Sequence, residues 1–125
     1  MAGRRAGRRT ALFLLYQWDV TGQPLTSLYE GEVDEFARGL AEAVSARAPE
    51  LDVAITVAAE GWTADRLGAV ERNVLRIGTY ELESGSVPPE VAINEAVELA
   101  KRYATEDAAR LVNGILGRIA REHVS

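Results

Sequence analysis

Apolar side chains recur at intervals of three and four residues along nearly the whole chain, and no stretch alternates apolar and polar positions long enough to mark a strand. The last stripe is the clearest. In "TEDAARLVNGILGRIAREH", Ala108, Leu111, Val112, Ile115, Leu116 and Ile119 share one side of a helix. Thr105 precedes it as N-cap, and Glu106 and Asp107 stand in the first turn, where the helix dipole favours acids. Before it, Pro88 and Pro89 open "EVAINEAVELAKRYA", with Ile93, Ala96, Val97, Ala100 and Ala104 on one face. A long helix is expected from about Ala64 to Glu83, capped by Thr63 and broken by "SGSVP". "VDEFARGLAEAVSARA" carries a stripe of Val33, Phe36, Leu40 and Val44, and Pro49 starts "ELDVAITVAAE". The first helix runs from about Gly3 to Val20 and stops at "TGQP"; one helical turn near Leu25–Glu30 follows. Six to seven helices without a strand predict an all-α bundle.

Length and composition narrow this. A chain of 125 residues, 47% apolar, has room for one domain spanning 1–125, or for two small sub-bundles sharing a core. The absence of cysteine excludes disulfides and thiolate metal sites, and a lone histidine, His123, excludes a histidine-cluster site. No metal or cofactor is expected. The longest apolar run, "ALFLL", falls far short of the roughly 20 residues of a spanning helix. "LYQWD" follows it at once, which leaves no room for a cleavable leader, so a cytoplasmic protein away from membranes is expected.

Charge changes the picture more. The formal net charge is -5, yet residues 1–18 hold four arginines and no acid, and residues 99–125 hold five basic and three acidic side chains. Residues 19–98 carry sixteen acids against five bases. If the chain ends meet, an acidic protein carries a basic face. In the first helix, Arg4 stacks on Arg8 and Arg5 on Arg9, one turn apart. The series Arg5, Arg9, Leu12, Tyr16 follows one edge, with Ala11, Leu14, Leu15 and Trp18 on the core side. Guanidinium groups with an aromatic ring below them suit phosphates and an unpaired base. A solvated terminus whose arginines merely offset the acidic body is the alternative. In the last helix Arg110, Gly114, Arg118 and Arg121 share the face opposite the apolar stripe, which adds to the first reading. Glycine costs about 1 kcal/mol relative to alanine inside a helix. Gly114, among the arginines, therefore points to a ligand, and Gly117 to close helix packing.

Enzyme chemistry finds no matching pattern: there is no phosphate-binding glycine loop and no nucleophile motif. Carboxylates such as Glu32, Asp34, Glu35, Glu95 and Glu98 are expected on solvent faces. Glu81 shares a side with Val70, Val74 and Ile77. It is read as an acceptor for free backbone N–H groups at the helix start after Pro89, with a raised-pKa proton donor as the alternative. Tyr16, Trp18, Trp62 and Tyr80 each read as structural before functional, and Trp18 and Trp62 as core.

The blocks "RRAGRRTALFLLYQWD", "RLGAVERNVLRIGTYEL" and "VPPEVAINEAVELAKRYATEDAARLVNGIL", in order and across nearly the whole chain, resemble the NusB family of bacterial transcription antitermination factors. The resemblance implies an all-α fold of two packed three-helix sub-bundles. It also implies binding of the boxA element of ribosomal RNA leader transcripts together with the ribosomal protein NusE, within an RNA polymerase antitermination complex, and no catalysis. The family's arginine-rich motif falls on Arg4, Arg5, Arg8 and Arg9, its tyrosine on Tyr16, and the start of the last helix supplies Asp107, Arg110 and Leu111. Its NusE-binding surface on the middle helix matches Glu71, Arg72, Leu75 and Arg76. Leu111 stands where the family often has phenylalanine, and Phe13 where glutamine is common. The segment before "EFARGL" is short for the family, so its small second helix is expected to be reduced or absent. Two alternatives stand beside this reading: an RNA-targeting module of a ribosomal RNA methyltransferase system, and a homodimer that masks its RNA face through Leu12 and Phe13.

Overall fold

The computed structural model describes the backbone of residues 3–124 and side chains as far as residue 122, so the side chain of His123 lies outside the described residues. Six α-helices follow one another: α1 (Arg4–Thr21), α2 (Glu35–Ala46), α3 (Ala48–Ala58), α4 (Ala69–Ser84), α5 (Pro89–Tyr103) and α6 (Glu106–Val124). No strand occurs among the described residues. Local chemistry sets most ends. Gly22 and Gly85 take left-handed backbone (φ 73° and 66°) and stop α1 and α4. Asp34 accepts the Ala37 N–H at 3.0 Å and Thr105 accepts the Ala108 N–H at 3.0 Å, capping α2 and α6. Asp34 is thus a cap rather than a carboxylate on an open helix face.

The connection after α1 holds a single 3-10 turn, Leu25–Ser27, inside the one turn expected near Leu25–Glu30. One boundary differs from expectation. The helix expected from Ala64 is broken: Ala64–Arg66 forms a 3-10 turn, Leu67 and Gly68 are extended, and α4 begins at Ala69. Thr63 makes no capping bond there; instead the Ala64 N–H is taken by the Thr56 hydroxyl at 3.2 Å. Burying Leu67 in the core pulls the chain out of helix at that point.

α4 is the axis of the molecule. It packs against each of the other five helices, while α5 and α6 pair with each other and α1 pairs with α2. α3 leans on α4 and α6. An enclosed helix is normally apolar all round, but α4 is not: Asn73, Arg76, Thr79 and Glu81 are buried along with Val74, Leu75, Ile77 and Leu82. The close approach that needs glycine is also here. A Cβ at Gly78 would sit 2.6 Å from a Leu116 methyl, and one at Gly7 2.5 Å from the Phe36 ring. Gly117, expected to serve close packing, meets nothing nearer than Arg121 at 3.5 Å, and Gly114 faces open space. Trp62, expected in the core, is 52% exposed because the turn at Glu60 and Gly61 carries it outward.

Candidate nucleic-acid interface

The four N-terminal arginines do not act as one stripe. α1 packs on α2 and α4, so one edge of its first turns faces inward. Arg8 lies on that edge and is 4% exposed. Its Nε donates to Glu81 Oε1 at 2.9 Å and its Nη2 to Glu81 Oε2 at 2.7 Å. The Glu81 hydrogen bonds raise the Arg8 guanidinium above its ordinary value, burial opposes them, and the charges of Glu81 and Glu95 add to the rise. Arg8 is therefore removed from the RNA-facing set, and Glu81 serves this guanidinium rather than backbone N–H groups at the start of α5. Leu12, expected on the arginine edge, is likewise buried.

Arg4, Arg5 and Arg9 remain at the surface to different degrees. Arg4 lies over the Phe36 ring at 5.2 Å. Arg5 and Arg9 line a groove of about 560 Å³ between α1 and α5, opposite Asn94, Lys101 and Arg102, with Leu99 in its wall. Lys101 and Arg102 were missed in the sequence because they close α5, where basic residues are ordinary partners of the helix dipole. The charge surplus of residues 99–125 was the available signal. Glu95, expected on a solvent face, is mostly buried at the base of this groove and paired with both Arg5 and Arg8.

Aromatic rings flank the cations. Phe13 and Tyr16 are both exposed, and the Phe13 ring meets Tyr103 edge-on with centroids 5.1 Å apart. Tyr103 ends α5 just before α6 begins, so the middle of α1 stands beside the α5–α6 corner. Asp107 and Arg110 are exposed and paired with each other, Leu111 is half-buried and Gly114 is exposed. Arg118 leaves the expected α6 face: its Nη1 donates to the Ala58 carbonyl at 2.6 Å, closing the end of α3.

The residues matched to protein binding behave differently from expectation. Leu75 is fully buried and Arg76 nearly so, because α4 has neighbours on every side. Arg76 donates to Asp52 from Nε and Nη2, both at 2.7 Å, and to Asp19 and Asn73 from Nη1. Arg72 donates to Asp19 at 2.7 Å and to the Leu67 carbonyl at 2.8 Å. Leu75 and Arg76 are thus interior residues and Arg72 a tie between α4, α1 and the preceding loop. Burial pushes the Asp19 carboxyl up. Hydrogen bonds from Arg72 and Asn73, with the charges of Arg72 and Arg76, outweigh that and hold it below its usual range. Glu71 alone of the four keeps a partly open side chain free of these networks. Elsewhere, Val53 and Val57 on α3 and Trp62 in the loop after it are exposed. Val53 and Val57 line a shallow groove with Asp52 and Asp65.

Among the described residues no helix is long and apolar enough to cross a membrane, and no group of His, Cys, Asp or Glu is arranged to hold a metal ion. The NusB family model matches residues 5–121. The chain is 44% identical to the transcription antitermination protein NusB of Saccharopolyspora erythraea, covering 96% of this chain and 88% of that protein. It is 43% identical to the NusB of Rubrobacter xylanophilus, covering 90% and 86% respectively. Among solved structures, T. maritima NusB superposes with a TM-score of 0.87 at 36% identity, covering 99% of this chain and 94% of that one. A structure of antitermination factors NusB and NusE in complex with double-stranded RNA superposes with a TM-score of 0.84 at 33% identity, covering 95% and 96%.

Proposed function

This chain belongs to the NusB family, and from that membership we infer that it is a transcription antitermination factor. In this reading it binds boxA-type RNA together with NusE in the cytoplasm, as a single non-catalytic domain spanning 1–125. One observation of the structure supports it above others: an acidic protein gathers Arg5, Arg9, Lys101 and Arg102 around one groove, where they outnumber its two acids, Glu95 and Glu98. Exposed Phe13 and Tyr16 lie along the same helix, suited to stacking on unpaired bases. Arg4, Asp107, Arg110, Leu111 and Gly114 extend this RNA surface, while Arg8 holds it in place from inside. NusE is assigned to the edge where α3 meets the first turn of α4. Exposed Val53 and Val57 line a shallow groove there with no basic side chain in its wall, which suits a protein better than RNA, and Glu71 at the start of α4 and exposed Trp62 after α3 are included in the assignment.

The test is a titration of boxA-type single-stranded RNA against the purified chain, with and without NusE, across a salt series. Affinity falls steeply with salt, roughly in proportion to the number of phosphates neutralised, and rises when NusE is present. Replacing both Arg5 and Arg9 by alanine weakens RNA binding about tenfold or more at fixed salt and flattens the salt dependence. RNA binding that ignores both salt and the double substitution would remove the groove from the interface. A second reading, a dimer that covers the RNA face, draws on exposed Phe13, Tyr16 and Val20 on α1; Leu12 is no longer part of it. Light scattering that reports a dimer dissociating on RNA addition favours that reading.

A further inference from the structure

A carboxylate at the base of a phosphate-binding groove ought to weaken it. Glu95 sits there, its side chain 12% exposed, beside Arg5, whose side chain is 78% exposed. Both Glu95 oxygens accept from the Arg5 Nε, at 3.1 and 3.2 Å. Neither terminal nitrogen of Arg5 donates a hydrogen bond to any described residue, so the fork of the guanidinium is left open. Glu95 Oε1 also takes the Arg8 Nη1 at 3.4 Å, and Arg8 is clamped by Glu81 inside the core. Charges of alternating sign thus run Glu81, Arg8, Glu95, Arg5 from α4 to the groove.

We propose that Glu95 is a positioning residue of the RNA surface, fixing Arg5 through its Nε so that the two terminal nitrogens present a ready-made fork to a phosphate. The idea rests on the RNA-binding reading above. Arg8 is shared between Glu81 and Glu95, so the four alternating charges cancel, and the surplus positive charge that draws the ligand comes from Arg9, Lys101 and Arg102. Leu99, buried one turn further along α5, walls the carboxylate in. An unanchored arginine loses rotamer freedom when it binds; one already held has little left to lose. Arg8 acquires a role in this arrangement too, as the post to which Glu95 is tied.

The experiment compares binding of the same boxA-type single-stranded RNA by the full chain and its variants at fixed salt. Glu95→Ala weakens binding three- to tenfold although it removes a negative charge from a basic groove. Glu95→Gln, which keeps an acceptor for Nε, stays within about twofold of the parent. In an Arg5→Ala background, Glu95→Ala costs nothing further. Arg5→Lys, which keeps the charge but has no Nε anchor, loses about as much as Arg5→Ala; this variant carries the test if Glu95→Ala does not fold. Equal or tighter binding by Glu95→Ala, or full binding by Arg5→Lys, would overturn the proposal while leaving the RNA reading intact. No RNA binding by the parent chain would sink both.

Discussion

The groove between α1 and α5 and the interior along α4 are both built with arginine, and they use it in opposite ways. In the groove, Arg5 keeps its terminal nitrogens free and Arg9 makes no ion pair with any described residue. Along α4, Arg8 and Arg76 spend almost every donor on carboxylates from other helices. Exposed guanidinium groups contribute little to stability and remain available to a ligand. Buried ones add little net stability as pairs, but each is expensive to orphan. Two residues one place apart on α1, Arg8 and Arg9, are therefore separated in function by the direction from which α4 approaches.

The largest test of that contrast is to orphan one charge. Arg8→Ala leaves Glu81 buried without its partner and destabilises the fold by about 3–5 kcal/mol, whereas Arg9→Ala changes stability by less than about 0.5 kcal/mol. Denaturant unfolding of both variants checks this, and equal losses would erase the distinction. Replacing Arg8 and Glu81 together by methionine should recover most of the loss.

Next comes Asp19, which shares Arg72 and Arg76 at the other end of the interior. Its carboxyl is held below the ordinary range, so its contribution is complete above about pH 4 and fades as pH falls through the lowered value. Asp19→Asn costs about 1–2 kcal/mol at neutral pH and makes unfolding less acid-dependent in that window. An unchanged acid profile would mean that Asp19 is no better held folded than unfolded.

The smallest effect sharpens the interior side of the comparison. Thr79 on α4 is fully buried, and its hydroxyl has no hydrogen-bond partner among the described residues. Thr79→Val removes an unsatisfied group without much change of shape and stabilises by about 1 kcal/mol. Thermal melting that shows a loss instead would point to a partner for that hydroxyl.

Much of the fold was legible along the chain because its causes are local. Pro88 and Pro89, Thr105, Gly22 and the three-to-four spacing of Ala108 to Ile119 place helix ends and core faces with little help from elsewhere. The exceptions have non-local causes. Leu67 leaves helix to reach the core, and Trp62 is carried out by a turn, neither of which periodicity registers. Of the proposed RNA surface, Arg5, Arg9 and Tyr16 were readable from helical phase, but Lys101 and Arg102 looked like ordinary helix ends. Arg118 looked like part of a basic face, yet it closes α3 by hydrogen-bonding the Ala58 carbonyl.

The sequence by itself determined an all-α chain, its family, and a concentration of arginine at the N-terminus of an acidic protein. Only the tertiary structure decided which of those arginines meet solvent. Helical phase gives the angle between side chains around one axis, but it carries no information about where neighbouring helices lie. With α4 packed against all five other helices, Arg8 and Arg76 became interior ions, and the glutamate expected in solvent, Glu95, came to lie mostly buried between Arg5 and Arg8.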